Sequence, residues 1–188
     1  HILNQDRVAT DGTLFCLADG MGGPAGGHIA STVAIRSLLG SRPDDAASLV
    51  QAMVAAGHAV RAAGRGRPGE SEMGTTMTAV LVTDGGLVVC AVGDTRCYLS
   101  DASGIRQLTT DDTVAASMEV PVDDERYAKA TSILTQNLGG PLELKPQVIE
   151  VPITEQTTII LTTDGVHEHV GPDDLAHDVA VELDLHAI

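Results

Sequence analysis

Apolar and polar positions follow two different rhythms along this chain of 188 residues. Near the amino terminus a short apolar run, Leu14–Ala18, stops at Asp19-Gly20, which predicts a buried strand ending in a sharp turn. After a Gly-rich bend over 21–27, residues 28–39 carry Ile29, Val33 and Leu38 at helical spacing. The Ala-rich stretch 44–63 predicts a second helix, capped by Asp44 or Asp45. Its end runs into Gly64-Arg65-Gly66-Arg67-Pro68-Gly69, expected to be a flexible surface loop.

From Gly74 the rhythm changes. Met77–Thr83 and 87–92 are rich in Val, Leu and Thr, and Asp84-Gly85-Gly86 between them predicts a hairpin turn. Further strands are expected over 96–100, 105–108, Gln147–Val151 and 157–162, the last leading into Asp164-Gly165. Residues 111–129 are polar and expected to be helical in pieces, and 172–183 reads as a last helix with Pro172 in its first turn. Strands grouped together, rather than alternating with helices, predict an α+β domain with largely antiparallel sheets. The length suits a single domain over 1–188.

Composition narrows the function classes. Hydrophobic residues make up 43% and no apolar run reaches membrane-spanning length, so no membrane contact is expected from this segment. The formal charge is −15, from 11 Lys+Arg against 26 Asp+Glu, and aromatics are 2%. Such a chain repels phosphate backbones and offers no stacking platform, which excludes nucleic acid as a partner. Cys16, Cys90 and Cys97 have no paired spacing, and no basic-then-apolar leader opens the chain; both features lead to the expectation of a cytoplasmic location.

Two segments share one design: Leu14-Phe15-Cys16-Leu17-Ala18-Asp19-Gly20 and Ile159-Ile160-Leu161-Thr162-Thr163-Asp164-Gly165. Each is an apolar strand that stops at Asp-Gly. A partly desolvated carboxylate at such an end demands a partner. The following Gly lets the chain turn and brings its carbonyl close to a ligand. Two such ends together offer hard oxygen ligands, which suit Mg2+ or Mn2+ rather than zinc. Asp11-Gly12 and Asp84-Gly85 read instead as ordinary hairpin turns. Asp94, where one strand passes to the next, fits a turn as well as a ligand.

The segments Asn4-Gln5-Asp6, Asp19-Gly20-Met21-Gly22-Gly23, Gly74-Thr75-Thr76, Val92-Gly93-Asp94-Thr95-Arg96, Leu108-Thr109-Thr110-Asp111, Leu138-Gly139-Gly140 and Thr163-Asp164-Gly165 occur in that order. This ordered set resembles the PP2C (PPM) metal-dependent Ser/Thr protein phosphatases, bacterial members in particular. The resemblance implies two antiparallel β-sheets packed as a sandwich flanked by α-helices, with metals in a cleft at one edge. It implies that Asp19 bridges two divalent cations, Mn2+ or Mg2+, with the Gly20 carbonyl on one and Asp164 on the other. Asp94 would help to hold a weaker third cation, Gln5 and Asp6 would act through metal-bound water, and Arg96 and Asp111 would brace the scaffold. Asp19 and Asp164 are thereby the catalytic candidates. The implied activity is hydrolysis of phosphoserine and phosphothreonine in proteins, substrates of a Ser/Thr kinase, by a water activated between cations about 4 Å apart.

Three departures qualify the resemblance. His1 stands where the family has its phosphate-binding arginine; it would hold phosphate only when protonated, with an ordinary pKa of about 6.5. Met21 replaces a histidine acid that some members carry, so water would have to protonate the leaving group. The family's final metal aspartate lies in an Asp-Asn strand, and no Asp-Asn dipeptide occurs here. The chain is therefore expected to lack the first strand and that last strand of the domain. A rival reading follows, a catalytically impaired module that binds phosphoproteins or regulates. A second rival is the Cys-five residues-Arg pattern from Cys90 to Arg96, that of cysteine-dependent phosphatases; here Cys90 falls inside a strand and is expected to be structural. His167-Glu168-His169 is two residues short of a zinc motif and reads as loop, and His28 and His58 as helix-surface residues. Residues 112–129 occupy the place of the family's flap beside the cleft.

Overall fold

The two rhythms resolve into sheets and a helical layer. The computed structural model describes residues 4–23, 26–65, 73–118, 123, 126–153, 157–172, 174, 175 and 177. In chain order these form β1 (Arg7–Thr10), β2 (Leu14–Ala18), β3 (Gly20–Met21), α1 (Gly26–Ser41), α2 (Ala46–Gly64), β4 (Gly74–Thr75), β5 (Met77–Thr83), β6 (Gly86–Val92), β7 (Arg96–Asp101) and β8 (Gly104–Gln107). There follow α3 (Val114–Ser117), α4 (Tyr127–Thr131), β9 (Gln147–Val151), β10 (Thr158–Thr162) and α5 (Asp164–His167).

All strand pairs are antiparallel. The larger sheet runs β1-β2-β5-β6-β9, and a smaller one runs β10-β7-β8. Strand alternation divides the core between two interfaces. Met77, Ala79 and Leu81 of β5 and Val88, Cys90 and Val92 of β6 pack with Ala34, Leu38, Leu49, Met53 and Val60 of the two long helices. The intervening Val80, Leu87 and Val89 pack with Cys97 and Leu99 of β7 and with Ile159 and Leu161 of β10. β6 is buried throughout, which is why it reads as a continuous apolar run rather than an alternating one. Each fully buried Leu or Val on these faces contributes about 1.5–3 kcal/mol.

Asp45, not Asp44, is the cap of α2. Its carboxylate accepts the Ser48 backbone N–H at 2.7 Å while its own N–H donates to the Ser48 hydroxyl at 3.0 Å. Asp11-Gly12 and Asp84-Gly85 are hairpin turns, as expected, and Gly12 adopts a φ of +99°. The polar segment is helical only in the short α3 and α4 among the described residues. The loop over 66–69 and most of the expected helix over 172–183 lie outside those residues. Among the described residues no helix is long and apolar enough to cross a membrane.

Candidate active site

β2 delivers Asp19 to one end of the larger sheet, where its backbone is held from both sides. The Asp19 carbonyl accepts the Thr76 N–H at 2.9 Å and the Thr75 hydroxyl at 2.7 Å, and the Asp19 N–H donates to the Thr76 hydroxyl at 3.3 Å. The next residue needs to be glycine: a Cβ on Gly20 would lie 2.0 Å from the Gly27 carbonyl oxygen at the start of α1. Gln5 closes this corner. Its side-chain amide donates to the Gly23 carbonyl at 3.2 Å, and its backbone carbonyl accepts the Ser31 hydroxyl at 2.7 Å. Asp6 follows and accepts the Thr163 hydroxyl at 3.2 Å, joining the amino-terminal segment to the end of β10.

The turn from β6 to β7 carries Asp94. Gly93 there has a φ of +99° and lies close to Thr76, which a Cβ at this position would approach to 2.6 Å. The hydroxyls of Thr76 and Thr95 are hydrogen-bonded, and the Thr78 hydroxyl donates to the Thr95 carbonyl at 2.6 Å. This buried threonine ladder joins the Asp19 strand end to the Asp94 turn. β10 pairs with β7 with Thr162 opposite Arg96, so Asp164, two residues on, arrives on the same side as Asp94.

Asp19, Gly20, Met21, Thr76, Asp94, Asp164 and Glu168 thus line one cleft of about 540 Å3, with residues 131–134 and Asn137 also lining it. No Lys or Arg is among the described residues that line it. Burial, then the neighbouring carboxylates of Asp6 and Asp164, push the Asp19 carboxyl up to about 8. Burial, then Asp164 and Asp111, push Asp94 up to about 6. The nearby cation is engaged elsewhere: Arg96 makes a bidentate pair with Asp111, at 2.7 Å from Nη2 and 3.0 Å from Nε. Burial works against the Arg96 charge, and Asp111 outweighs it, holding the guanidinium above its ordinary range.

Carboxylates crowded in this way are stabilised by cations, and their donor atoms are hard oxygens. Among the described residues no three such side chains already close on a single point. Mg2+ in particular keeps several waters and takes only one or two carboxylates. The residues present therefore fit divalent cations.

The structure brings Asp6, Asp19, Asp94 and Asp164 together, with Gln5 beside them, while His1 lies outside the described residues. Of the loop expected over 167–169, His167 instead ends a short helix, while 168 and 169 form the turn that follows it. Asp164 opens the helical turn α5, His167 bonds the Thr162 hydroxyl at 3.0 Å, and Glu168 reaches the cleft. The signal for Glu168 was its place four residues after Asp164, the spacing that puts two side chains on one helical face. His58 is exposed, but His28 is half-buried against the Arg7 guanidinium, because α1 packs onto β1. Cys90 is fully buried in β6, burial pushes its thiol up to about 12, and the chain to Arg96 continues as strand, turn and strand. Cys90 is paired on both sides, with Ala79 of β5 and Val148 of β9, and not set in a cradle of free amides, so the cysteine-dependent reading falls.

Comparison with known proteins places this geometry. The serine/threonine protein phosphatase PstP of Mycobacterium tuberculosis is 30% identical over 179 residues, covering 90% of this chain and 35% of that protein. The chain therefore spans about a third of that relative's length. The crystal structure of the Mycobacterium tuberculosis phosphatase superposes with a TM-score of 0.83 at 28% identity, covering 94% of this chain and 79% of that one. A PstP catalytic domain solved in complex with two manganese ions gives a TM-score of 0.80 at 27% identity, covering 99% and 86%. Residues 1–183 match the protein phosphatase 2C family. Fold and sequence agree, and the chain belongs to that family.

Proposed function

We propose that this chain is the catalytic segment of a protein-serine/threonine phosphatase that depends on divalent cations. The observation that carries the reading is the gathering of Asp19, Asp94 and Asp164 on one cleft that none of the described Lys or Arg residues lines. Asp19 and the Gly20 carbonyl would hold the ions from one side and Asp164 from the other, with Asp94 on a weaker third. Bound there, Mn2+ or Mg2+ would supply an activated water and offset charge on the phosphoryl oxygens.

The chain's own residues then have defined tasks. Asp19 must be deprotonated to bind an ion, and the burial and carboxylate crowding that raise its pKa make ion and proton compete. Gln5 and Asp6 fix the corner from which they would orient water held by the ions. Met21 lines the cleft and has no acidic proton to give, so water would have to serve the leaving group in its place. Thr75 and Thr76 hold the Asp19 backbone still, which matters because misplacement by an ångström is costly in such chemistry. The substrates would be phosphoproteins made by a Ser/Thr kinase, with the protein in the cytoplasm, where buried free Cys16, Cys90 and Cys97 stay reduced.

The test is phosphate release from a phosphothreonine peptide in the presence of Mn2+, with Asp19→Ala alongside. Turnover by the parent that the variant lacks is the expected result. Equal rates would sink the enzyme reading, and two inactive proteins that still bind the peptide would favour the impaired module.

A further inference from the structure

We infer that Asp112, a residue outside the ligand set, is a positioning residue that locks the Asp94 turn to the cleft-lining segment. The inference rests on the phosphatase reading above for its kinetic consequences, and on geometry for the coupling itself. On one side Asp112 exchanges hydrogen bonds with Gly93, the residue before Asp94. The Gly93 N–H donates to the Asp112 carboxylate at 2.8 Å, and the Asp112 N–H donates to the Gly93 carbonyl at 2.9 Å. On the other side the same carboxylate oxygen accepts the Gln136 side-chain amide at 2.8 Å, and the Asp112 carbonyl accepts the Thr135 N–H at 2.7 Å.

Gln136 passes the constraint on. Its amide also donates to the Lys145 carbonyl at 3.1 Å, and its carbonyl oxygen accepts the Lys145 N–H at 3.0 Å. Thr113 bridges Leu134, and the Val114 N–H donates to the Ile133 carbonyl at 2.9 Å. Ile133, Leu134 and Asn137 line the cleft with Asp94. Asp112 is half-buried, and its Oδ2 joins the turn at Gly93 to the loop at Gln136. Gly93 also packs closely on Thr76, leaving no room there for a Cβ, and the Asp112 bonds hold the turn from the other side. The side chain thus sets two things together: where the Asp94 carboxylate sits, and where the surface that meets a bulky substrate sits. Its Gln136 arm serves only the second.

The experiment uses Asp112→Ala, Asp112→Asn and Gln136→Ala, with Mn2+ titrations and with KM and kcat for a phosphothreonine peptide and for a small aryl phosphate. Losing hydrogen bonds to a charged acceptor corresponds to about tenfold in an equilibrium constant. Asp112→Ala is expected to raise both the Mn2+ half-saturation and the peptide KM by about fivefold or more. Gln136→Ala is expected to raise the peptide KM alone, with aryl phosphate turnover unchanged. Asp112→Asn, which keeps an acceptor oxygen, should recover most of both losses. Asp112→Ala within about twofold of the parent on both measures overturns the inference, as does an equal fall in kcat for both substrates with neither KM nor Mn2+ dependence moved. Should Asp112→Ala fail to fold, Gln136→Ala decides: a raised peptide KM supports the coupling and an unchanged one overturns it. Should the parent itself show no Mn2+-dependent turnover, the phosphatase reading fails separately. The coupling is then read from hydrogen exchange at the Val114 and Leu138 amides, which Gln136→Ala should accelerate; unchanged exchange overturns it.

Discussion

The hydroxyl of Thr75 donates to the backbone carbonyl of Asp19 at 2.7 Å, from a residue with no solvent exposure. The same carbonyl takes the Thr76 N–H at 2.9 Å, so this carbonyl has two restraints. Thr75→Val removes one of them at nearly constant volume. It is expected to cost about 1 kcal/mol of stability in urea unfolding, and to raise the Mn2+ concentration needed for half-maximal turnover. A variant with lowered stability and unchanged Mn2+ dependence would show that the bond serves the fold alone.

Gly20 and Gly12 make a controlled pair. A Cβ on Gly20 meets the Gly27 backbone at 2.0 Å, and helix α1 would have to move to admit it. Gly12 has a φ of +99° and nothing within 4 Å of a built Cβ. Gly20→Ala is therefore expected to destabilise by about 3 kcal/mol or more, against about 1 kcal/mol for Gly12→Ala. Thermal melts of both variants check the ordering.

The protonation of Asp19 gives a pH signature. In the ion-free protein its carboxyl is held near 8, against an ordinary 3.8, by burial and then by Asp6 and Asp164. A carboxyl raised in the folded state binds its proton more tightly there than in the unfolded chain. Its contribution is present below the ordinary value and is lost as pH rises toward 8. Ion-free protein should thus lose stability between about pH 4 and about pH 8, and saturating Mn2+ should offset that loss because the ion binds the deprotonated form. Denaturant unfolding with and without Mn2+ reads the slope; identical slopes would contradict the assignment.

Cys90 is predicted to be dispensable for the chemistry. It lies fully buried in β6 with its thiol pushed up to about 12, far from the thiolate a nucleophile needs. Cys90→Ser should leave turnover within about twofold once a modest loss of stability is allowed for, whereas a chelator should abolish it. Loss of activity in a folded Cys90→Ser protein would reopen the cysteine mechanism.

Much of this was legible in the sequence because the fold writes its strands in two codes. β2 and β10 are apolar runs with hard stops at or just before Asp-Gly, and β6 is apolar at every position because both its faces are covered. The ordered motifs from Gln5 to Asp164 carried the family and the candidate carboxylates. What the sequence hid is tertiary. Glu168 reaches the cleft only because Asp164 opens a helical turn instead of a loose bend. His28 turned inward because α1 lies across β1, a packing that no helical periodicity reports. Asp112 reads as one of many surface acids until Gly93 and Gln136 are seen to share its carboxylate.

The central claim is that Asp19 organises a divalent-cation site, and calorimetric titration of the chain with Mn2+ at neutral pH tests it most directly. The account predicts saturable binding by the parent and loss of that binding in folded Asp19→Ala. Equal Mn2+ binding by the two proteins, or none by the parent, would contradict it.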